Sequence, residues 1–259
     1  MKNQRAYNAR CQQRLQRGYT MIEVSVALVI ALFLLNGMVT ILQGTRSASQ
    51  NQSLLAQLQD DQRVAMTMIT DVIQQAGYYP SPNTTDPGLA LPVSPVFATT
   101  GQAVAGGSNA YGDTVTVRYQ GDASGTVLDC QGAILPNNPA PGIPEEMTFS
   151  VRVDPVNPNM KELVCTANGV TATLVRNVQG ITVAYGVDVN NSGSANTYLP
   201  LAQMTAGLWP NVYSVKITVN FTNPLYGQPG QNAVALQTIA FTRVIGIMSK
   251  AGVNVMNLY

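Results

Sequence analysis

Glu23 is the residue of this 259-residue chain whose place most needs a chemical explanation. Its carboxylate stands at the mouth of an apolar run, residues 24–42, interrupted only by Ser25, Asn36 and Thr40. A carboxylate near mid-bilayer costs on the order of 3 kcal/mol on insertion scales, so one kept there marks a function and asks for a cationic partner. The plainer alternative is a glutamate that snorkels to the headgroup level. Asp188-Val-Asn190-Asn-Ser192-Gly193 copies the opening of a calcium loop. It offers one carboxylate, Asp188, beside Asn190 and Ser192, and its twelfth position is Leu199 where a calcium loop carries Glu. A solvated turn is the reading expected there, with calcium a weak alternative and no other cofactor.

Much chemistry is excluded by what the chain lacks. It has no histidine, which removes Ser-His-Asp and Cys-His nucleophiles, His-ligated zinc and His general bases. Its acids stand singly apart from Asp60-Asp61 and Glu145-Glu146, which read as solvated faces of a helix and a turn, so no acid/base pair is recognisable by spacing. An enzyme is not expected. Charged residues make up only 10% of the chain, and the formal charge of +1 supplies no concentrated basic face for nucleic acid.

That +1 hides an asymmetry. Lys2, Arg5, Arg10, Arg14 and Arg17 put +5 and no acid into residues 1–18, leaving −4 for the rest. Nineteen apolar-run residues at ~1.5 Å each make a helix of roughly 28 Å, the thickness of a bilayer's hydrocarbon core. The cations before it should stay cytoplasmic and the chain after it should cross. A cleaved secretory signal would need a shorter apolar core, although Ser47-Ala-Ser49 imitates its cleavage site. A plain anchor explains the length but not Glu23.

Beyond the membrane the helical period continues through Leu54, Leu58, Ala65, Ile69, Val72 or Ile73, and Ala76, with Asp60, Asp61, Arg63 and Asp71 between them. Gly77 and Pro80 are stop signals. Residues 21–76 should form a helix of roughly 80 Å, bent or loosened at Gly37 or Gly44. Residues 78–97 read as a proline-rich loop and 134–144 as another. Period-two strands are expected over 114–119, 148–153, 161–166, 170–175, 181–187, 213–221 and 237–245, with Asn168-Gly169 closing a tight hairpin. The fold class is α+β: a long N-terminal hydrophobic helix packed on an antiparallel sheet. Four segments follow: 1–18 as a cleaved leader, 19–44 as the membrane-spanning half of the helix, 45–77 as its amphipathic half, and 78–259 as a β-rich head.

Three cysteines sort by compartment. Cys11 lies in the leader, whereas Cys130 and Cys165 lie in the exported part, where disulfides persist. Their pairing would close a 36-residue loop, worth roughly 4 kcal/mol by loop entropy. Two buried free thiols are the alternative.

Arg17-Gly18-Tyr19-Thr20-Met21-Ile22-Glu23 ahead of an apolar helix resembles the processing site of the type IV pilin family. The resemblance implies cleavage by a prepilin peptidase between Gly18 and Tyr19, N-methylation of Tyr19, and Glu23 as the fifth mature residue. The family most often has Phe first; Tyr19 keeps the ring. The amino group freed at Tyr19 of a neighbouring subunit is positive at neutral pH and would be the partner Glu23 needs. In the head, Val117-Arg-Tyr-Gln-Gly121, Asp129-Cys-Gln-Gly132, Glu162-Leu-Val-Cys165, the segment Val178-Gln-Gly-Ile-Thr-Val-Ala-Tyr-Gly-Val-Asp188, and Trp209-Pro-Asn-Val-Tyr-Ser-Val-Lys-Ile-Thr-Val219 are similar to the PilW family of minor pilins. The resemblance covers roughly 19–80 and 111–245.

It implies a subunit of the tip or priming complex that initiates pilus assembly, on which twitching motility and adhesion depend. Its partners would be other minor pilins, the major pilin, the prepilin peptidase and the inner-membrane assembly platform. The expected location is the bacterial inner membrane with the head in the periplasm, then the pilus tip at the cell surface. The alternative is a minor pseudopilin of a type II secretion system, which shares the leader, the helix and a similar head.

Overall fold

The computed structural model describes residues 18–136, 143–228 and 236–250. The chain divides into two compact units, Met1–Gln52 and Ser53–Tyr259. The leader with Cys11, and residues 137–142 of the second expected loop, lie outside the described residues.

Helix α1 spans Met21–Gln74 and passes Gly37 and Gly44 without interruption. Its start is set by Thr20, whose backbone oxygen accepts the Glu23 N–H at 3.0 Å while its hydroxyl lies 3.4 Å from the same nitrogen. Thr-x-x-Glu is the spacing of a capping box. In the first unit all side chains of residues 21–50 are exposed. The two hydroxyls of the apolar run are satisfied inside the helix: Ser25 donates to the carbonyls of Met21 and Ile22, and Thr40 to that of Asn36. Such back-bonding removes the cost of bringing a lone hydroxyl into an apolar medium.

In the second unit the same helix turns amphipathic. Leu58, Ala65, Met66, Ile69, Val72 and Ile73 are buried, the stripe read from the sequence with Met66 added and both Val72 and Ile73 inside, while Leu54 is only half-buried. The helix ends at Gln74, two residues before the expected Ala76, and a turn follows to Gly77, whose N–H donates to Arg118 O at 2.8 Å.

The stripe shares one core with the sheet. Its strands are β1 (Val104–Asn109), β2 (Gly112–Tyr119), β3 (Glu145–Val153), β4 (Lys161–Ala167), β5 (Val170–Arg176), β6 (Val178–Val187), β7 (Thr197–Pro200), β8 (Val212–Thr222) and β9 (Thr238–Gly246), in the order β5-β4-β3-β2-β6-β8-β9. Strand β1 also pairs with β2, and β7 with β6. Alternation decides which side chains face inward: Val115, Val117 and Tyr119 from β2, Ile181, Val183, Tyr185 and Val187 from β6, and Val215, Ile217, Val219 and Phe221 from β8 are buried. Asn168 and Gly169 both take positive φ in the β4–β5 turn, as an Asn-Gly hairpin requires.

The sheet differs from the all-antiparallel expectation at one point. Strand β2 meets β6 in parallel through a single bridge, Gly112 to Ile181. Strand β3 already occupies the rest of that edge of β2, from Val115 to Tyr119, while β1 takes the opposite edge. A Cβ at Gly112, which has φ +127°, would lie 2.3 Å from Ile181 O, so only glycine permits the approach. Asp113 then replaces the missing ladder by accepting the Val183 N–H at 2.8 Å. Strand β1 escaped the sequence reading because Val-Ala-Gly-Gly-Ser-Asn has no alternating pattern, and Glu145-Glu146 begin β3 instead of forming a turn.

The expected loop at 78–97 contains a short helix, α2 (Pro87–Ala90), capped by Asp86, and it is organised by a buried cation. Arg118, fully buried, donates from Nε to Gln102 O at 2.7 Å and from its terminal nitrogens to Pro92 O, to Leu91 O at 3.1 Å and to Thr99 O at 3.5 Å. Its guanidinium carbon lies 4.2 Å from the Phe97 ring centroid. Burial pushes its pKa down to about 10, with the Glu146 carboxylate acting in the opposite direction, so it stays charged at neutral pH. Replacing it strands the carbonyls of Gln102, Pro92 and Thr99, while Leu91 O keeps the Gly101 N–H at 2.9 Å. Arg118→Leu should lower the unfolding free energy by on the order of 3 kcal/mol in urea titration and open residues 87–102 to proteolysis; an unchanged midpoint would contradict this role.

Candidate functional site

Three places carry the residues singled out by type and spacing. At the N-terminus, Gly18, Tyr19 and Thr20 precede the helix in extended, exposed chain, and Glu23 falls in its first turn. Tyr19 is 81% exposed, and among the described residues no cation pairs with Glu23. A Cβ added at Gly18 would meet nothing within 4 Å, so glycine is not demanded there by packing. The helix N-terminus favours an anion in its first turn.

The second place is the disulfide. Cys130 and Cys165 are bonded, with Cα atoms 6.3 Å apart, and both are buried. Cys165 sits in β4 opposite Phe149 of β3 and Ala172 of β5. The bridge fastens a turn that Asp129 holds by accepting the N–H groups of Gln131 at 2.7 Å and Ala133 at 2.8 Å. Gln131 completes the attachment by donating to Val170 O at 2.7 Å. The Cys130→Ser/Cys165→Ser double variant should lose roughly 4 kcal/mol of stability in denaturant titration, the loop-closure value for a separation of 35 residues.

The third place is the loop after β6. Asp188 is buried, and its carboxylate turns onto its own loop: Oδ1 accepts from the N–H of Asn190 at 3.2 Å and of Ser192 at 3.0 Å, and Oδ2 from that of Gly193 at 2.7 Å. A cation would compete with these donors for both oxygens. Asn190 instead pairs through its side chain with Asn196. Among the described residues no group of three or more Cys, Asp or Glu is arranged to hold a metal.

Burial raises the Asp188 pKa, but the Gly193, Ser192 and Asn190 N–H groups outweigh it and hold the carboxyl below its ordinary range. A folded value below the unfolded one stabilises the protein above the unfolded pKa, near pH 4, and this stabilisation disappears as pH falls through the folded value. The melting-temperature gap between the parent and Asp188→Asn should therefore be clear at neutral pH and shrink as pH drops below about 4. A gap independent of pH would rule out the charge as its source.

Several positions were not legible from spacing. Glu162, only 1% exposed in its side chain, accepts from Arg152 Nε at 2.9 Å, and Asp154 accepts from Arg176 Nε at 3.2 Å. These acids read as isolated because their partners arrive from neighbouring strands. Thr20 could have been found, since its three-residue spacing to Glu23 is a capping signal.

Residues 148–239 match the family model described as Type IV Pilus-assembly protein W. The resemblance to the PilW family read from the sequence is supported over these residues. The PilW match begins in β3 and ends in β9, so it contains Cys165, Asp188 and Trp209 and stops short of α1, Arg118 and Cys130. A solved type IV-like pilin from Thermus thermophilus aligns over 75% of this chain and 96% of its own, at 12% identity and a TM-score of 0.38. No curated protein sequence matches the chain.

Proposed function

We propose that this chain is a minor pilin of the type IV pilus, a subunit of the tip or priming complex that initiates assembly. One observation carries the reading. A single unbroken helix begins three residues after Gly18, holds Glu23 in its first turn, and continues from an uncovered apolar segment of mean hydropathy 2.4 into the core of a PilW-matching head. The apolar segment is long enough to cross a membrane. In this reading a prepilin peptidase removes residues 1–18 on the cytoplasmic side and Tyr19 becomes the N-methylated first residue. The inner membrane then holds the helix, with the head in the periplasm.

Glu23 contributes an anion in the first turn of a helix. A neighbouring subunit contributes the cationic amine of its own Tyr19, and their attraction in a low-dielectric medium sets the axial register between the two helices. The assembly platform and the major and minor pilins are the partners, and the finished location is the pilus at the cell surface. The Asp188 loop acts here as a self-capped turn and not as a calcium site.

Mass spectrometry of the membrane-extracted protein should find methylated Tyr19 as the first residue; a chain starting at Met1 or near Gln50 would falsify the pilin reading. Gly18→Ala should leave the precursor uncut, and because a methyl there meets nothing, that result reports on processing and not on folding. Glu23→Ala should yield cleaved protein that stays in the membrane and fails to support pili in electron micrographs. Normal piliation would show the carboxylate to be dispensable.

A further inference from the structure

The two outer strands of the sheet differ in how they are protected. Strand β5 follows a register shift at Leu163/Val164 and ends on the exposed Arg176, both devices that discourage further pairing. Strand β9 has neither. Nine consecutive residues pair with β8 with no register shift, they include no proline, and their one charge, Arg243, turns toward α1, donating to Thr70 Oγ1 at 3.0 Å and Met66 O at 3.4 Å.

The hydrogen-bond parity says which groups face away. Ile247 N–H donates to Tyr213 O at 2.8 Å, and at the other end Asn223 N–H donates to Gln237 O at 2.8 Å. Both pairs continue the β8–β9 register, so the odd-numbered residues between them spend their N–H and C=O on β8. Ala240, Thr242 and Val244 therefore aim theirs outward. Among the described residues nothing bonds to them. Their side chains are uncharged and exposed, Val244 to 54%.

Beside this edge, on the helix side, runs a groove of about 520 Å³ between α1 and β9. Its apolar lining includes Leu55, Met66, Ile239 and Phe241, and its charges are Arg63 and Arg243; Arg63 also meets Asp60 Oδ1 at 3.3 Å, an exposed and therefore weak ion pair that an incoming carboxylate can replace. An added strand would direct every second side chain into that groove.

We propose that the outer edge of β9 accepts a β-strand from a different polypeptide, one with apolar residues at alternate positions and a carboxylate among them. The backbone row admits a strand, the groove takes its inward apolar side chains, and Arg63 and Arg243 take its acid. A second copy of this chain fits poorly, because two β9 strands paired about a two-fold axis would bring both sets of Arg63 and Arg243 together. The edge is present whether or not the chain enters a pilus, so this proposal stands or falls apart from the processing of Tyr19.

The test uses the full chain in detergent micelles and two fluorescent nine-residue peptides with Val at alternate positions and Thr between them, one Val replaced by Glu or by Lys. Anisotropy should show the Glu peptide binding at least about tenfold more tightly than the Lys peptide. Thr242→Pro removes an outward N–H and the 2.7 Å contact between the Thr242 and Thr218 hydroxyls but no backbone bond of the β8 ladder, which an edge strand tolerates, and should weaken binding at least about tenfold with the circular dichroism spectrum unchanged. If Thr242→Pro disturbs the fold, the exposed Arg63→Glu decides, and it should abolish the preference for the Glu peptide. Absent binding, equal binding of both peptides, or full binding to a folded Thr242→Pro would overturn the proposal. So would a dimer of the unliganded chain, seen by sedimentation, that Thr242→Pro dissociates.

Discussion

An apolar helical surface left uncovered among the described residues is the constraint on which the rest of this protein depends. Over residues 21–42 the side chains of α1 are exposed on every face, and the run is long enough to cross a membrane. Burial of such a surface stabilises by roughly 25 cal/mol for each Å² taken from water, so lipid or other apolar helices must supply the medium. The chain prepares for it. Ser25 and Thr40 satisfy their hydroxyls on helix carbonyls, and Thr20 supplies an acceptor for an N–H of the first turn. Glu23 is the one ionisable side chain in that stretch.

Past Gln52 the same helix obeys a different rule. Its inward stripe, from Leu58 to Ile73, enters the core formed by the inner residues of β2, β6 and β8. Helix α1 shows no interruption at Gly37 or Gly44. The sheet needs further fastening because its two halves meet through one parallel bridge. Asp113 supplies it by accepting the Val183 N–H, while the disulfide and the buried guanidinium of Arg118 fasten loops to strands within one half.

Charge in this chain is scarce and mostly committed. Glu162 and Asp154 face arginines across strands, Glu146 accepts the Ser94 hydroxyl, and Asp188 closes its own loop. Acids used in this way hold backbone and neighbouring strands. The free polar valence of the head lies instead in the backbone of β9, a directional feature suited to another strand.

The amino-acid sequence by itself determined the local elements, since these follow from period and punctuation along the chain. The apolar run, the helical stripe, the Asn-Gly hairpin and the alternating strands β2, β6 and β8 were all legible, as was the pairing of Cys130 with Cys165 once a compartment was assigned. Strand β1 was hidden by its Gly-Gly interior, which carries no alternating pattern. Only the tertiary structure decided the interactions between residues distant in sequence. Arg118 finds carbonyls 16 to 27 positions away, and Arg243 reaches Thr70 across 173. The single parallel bridge and the open edge of β9 belong to the same class. Spacing records what a residue's near neighbours can do; which strand arrives beside which, and which edge is left without one, is set by packing the whole chain around one core.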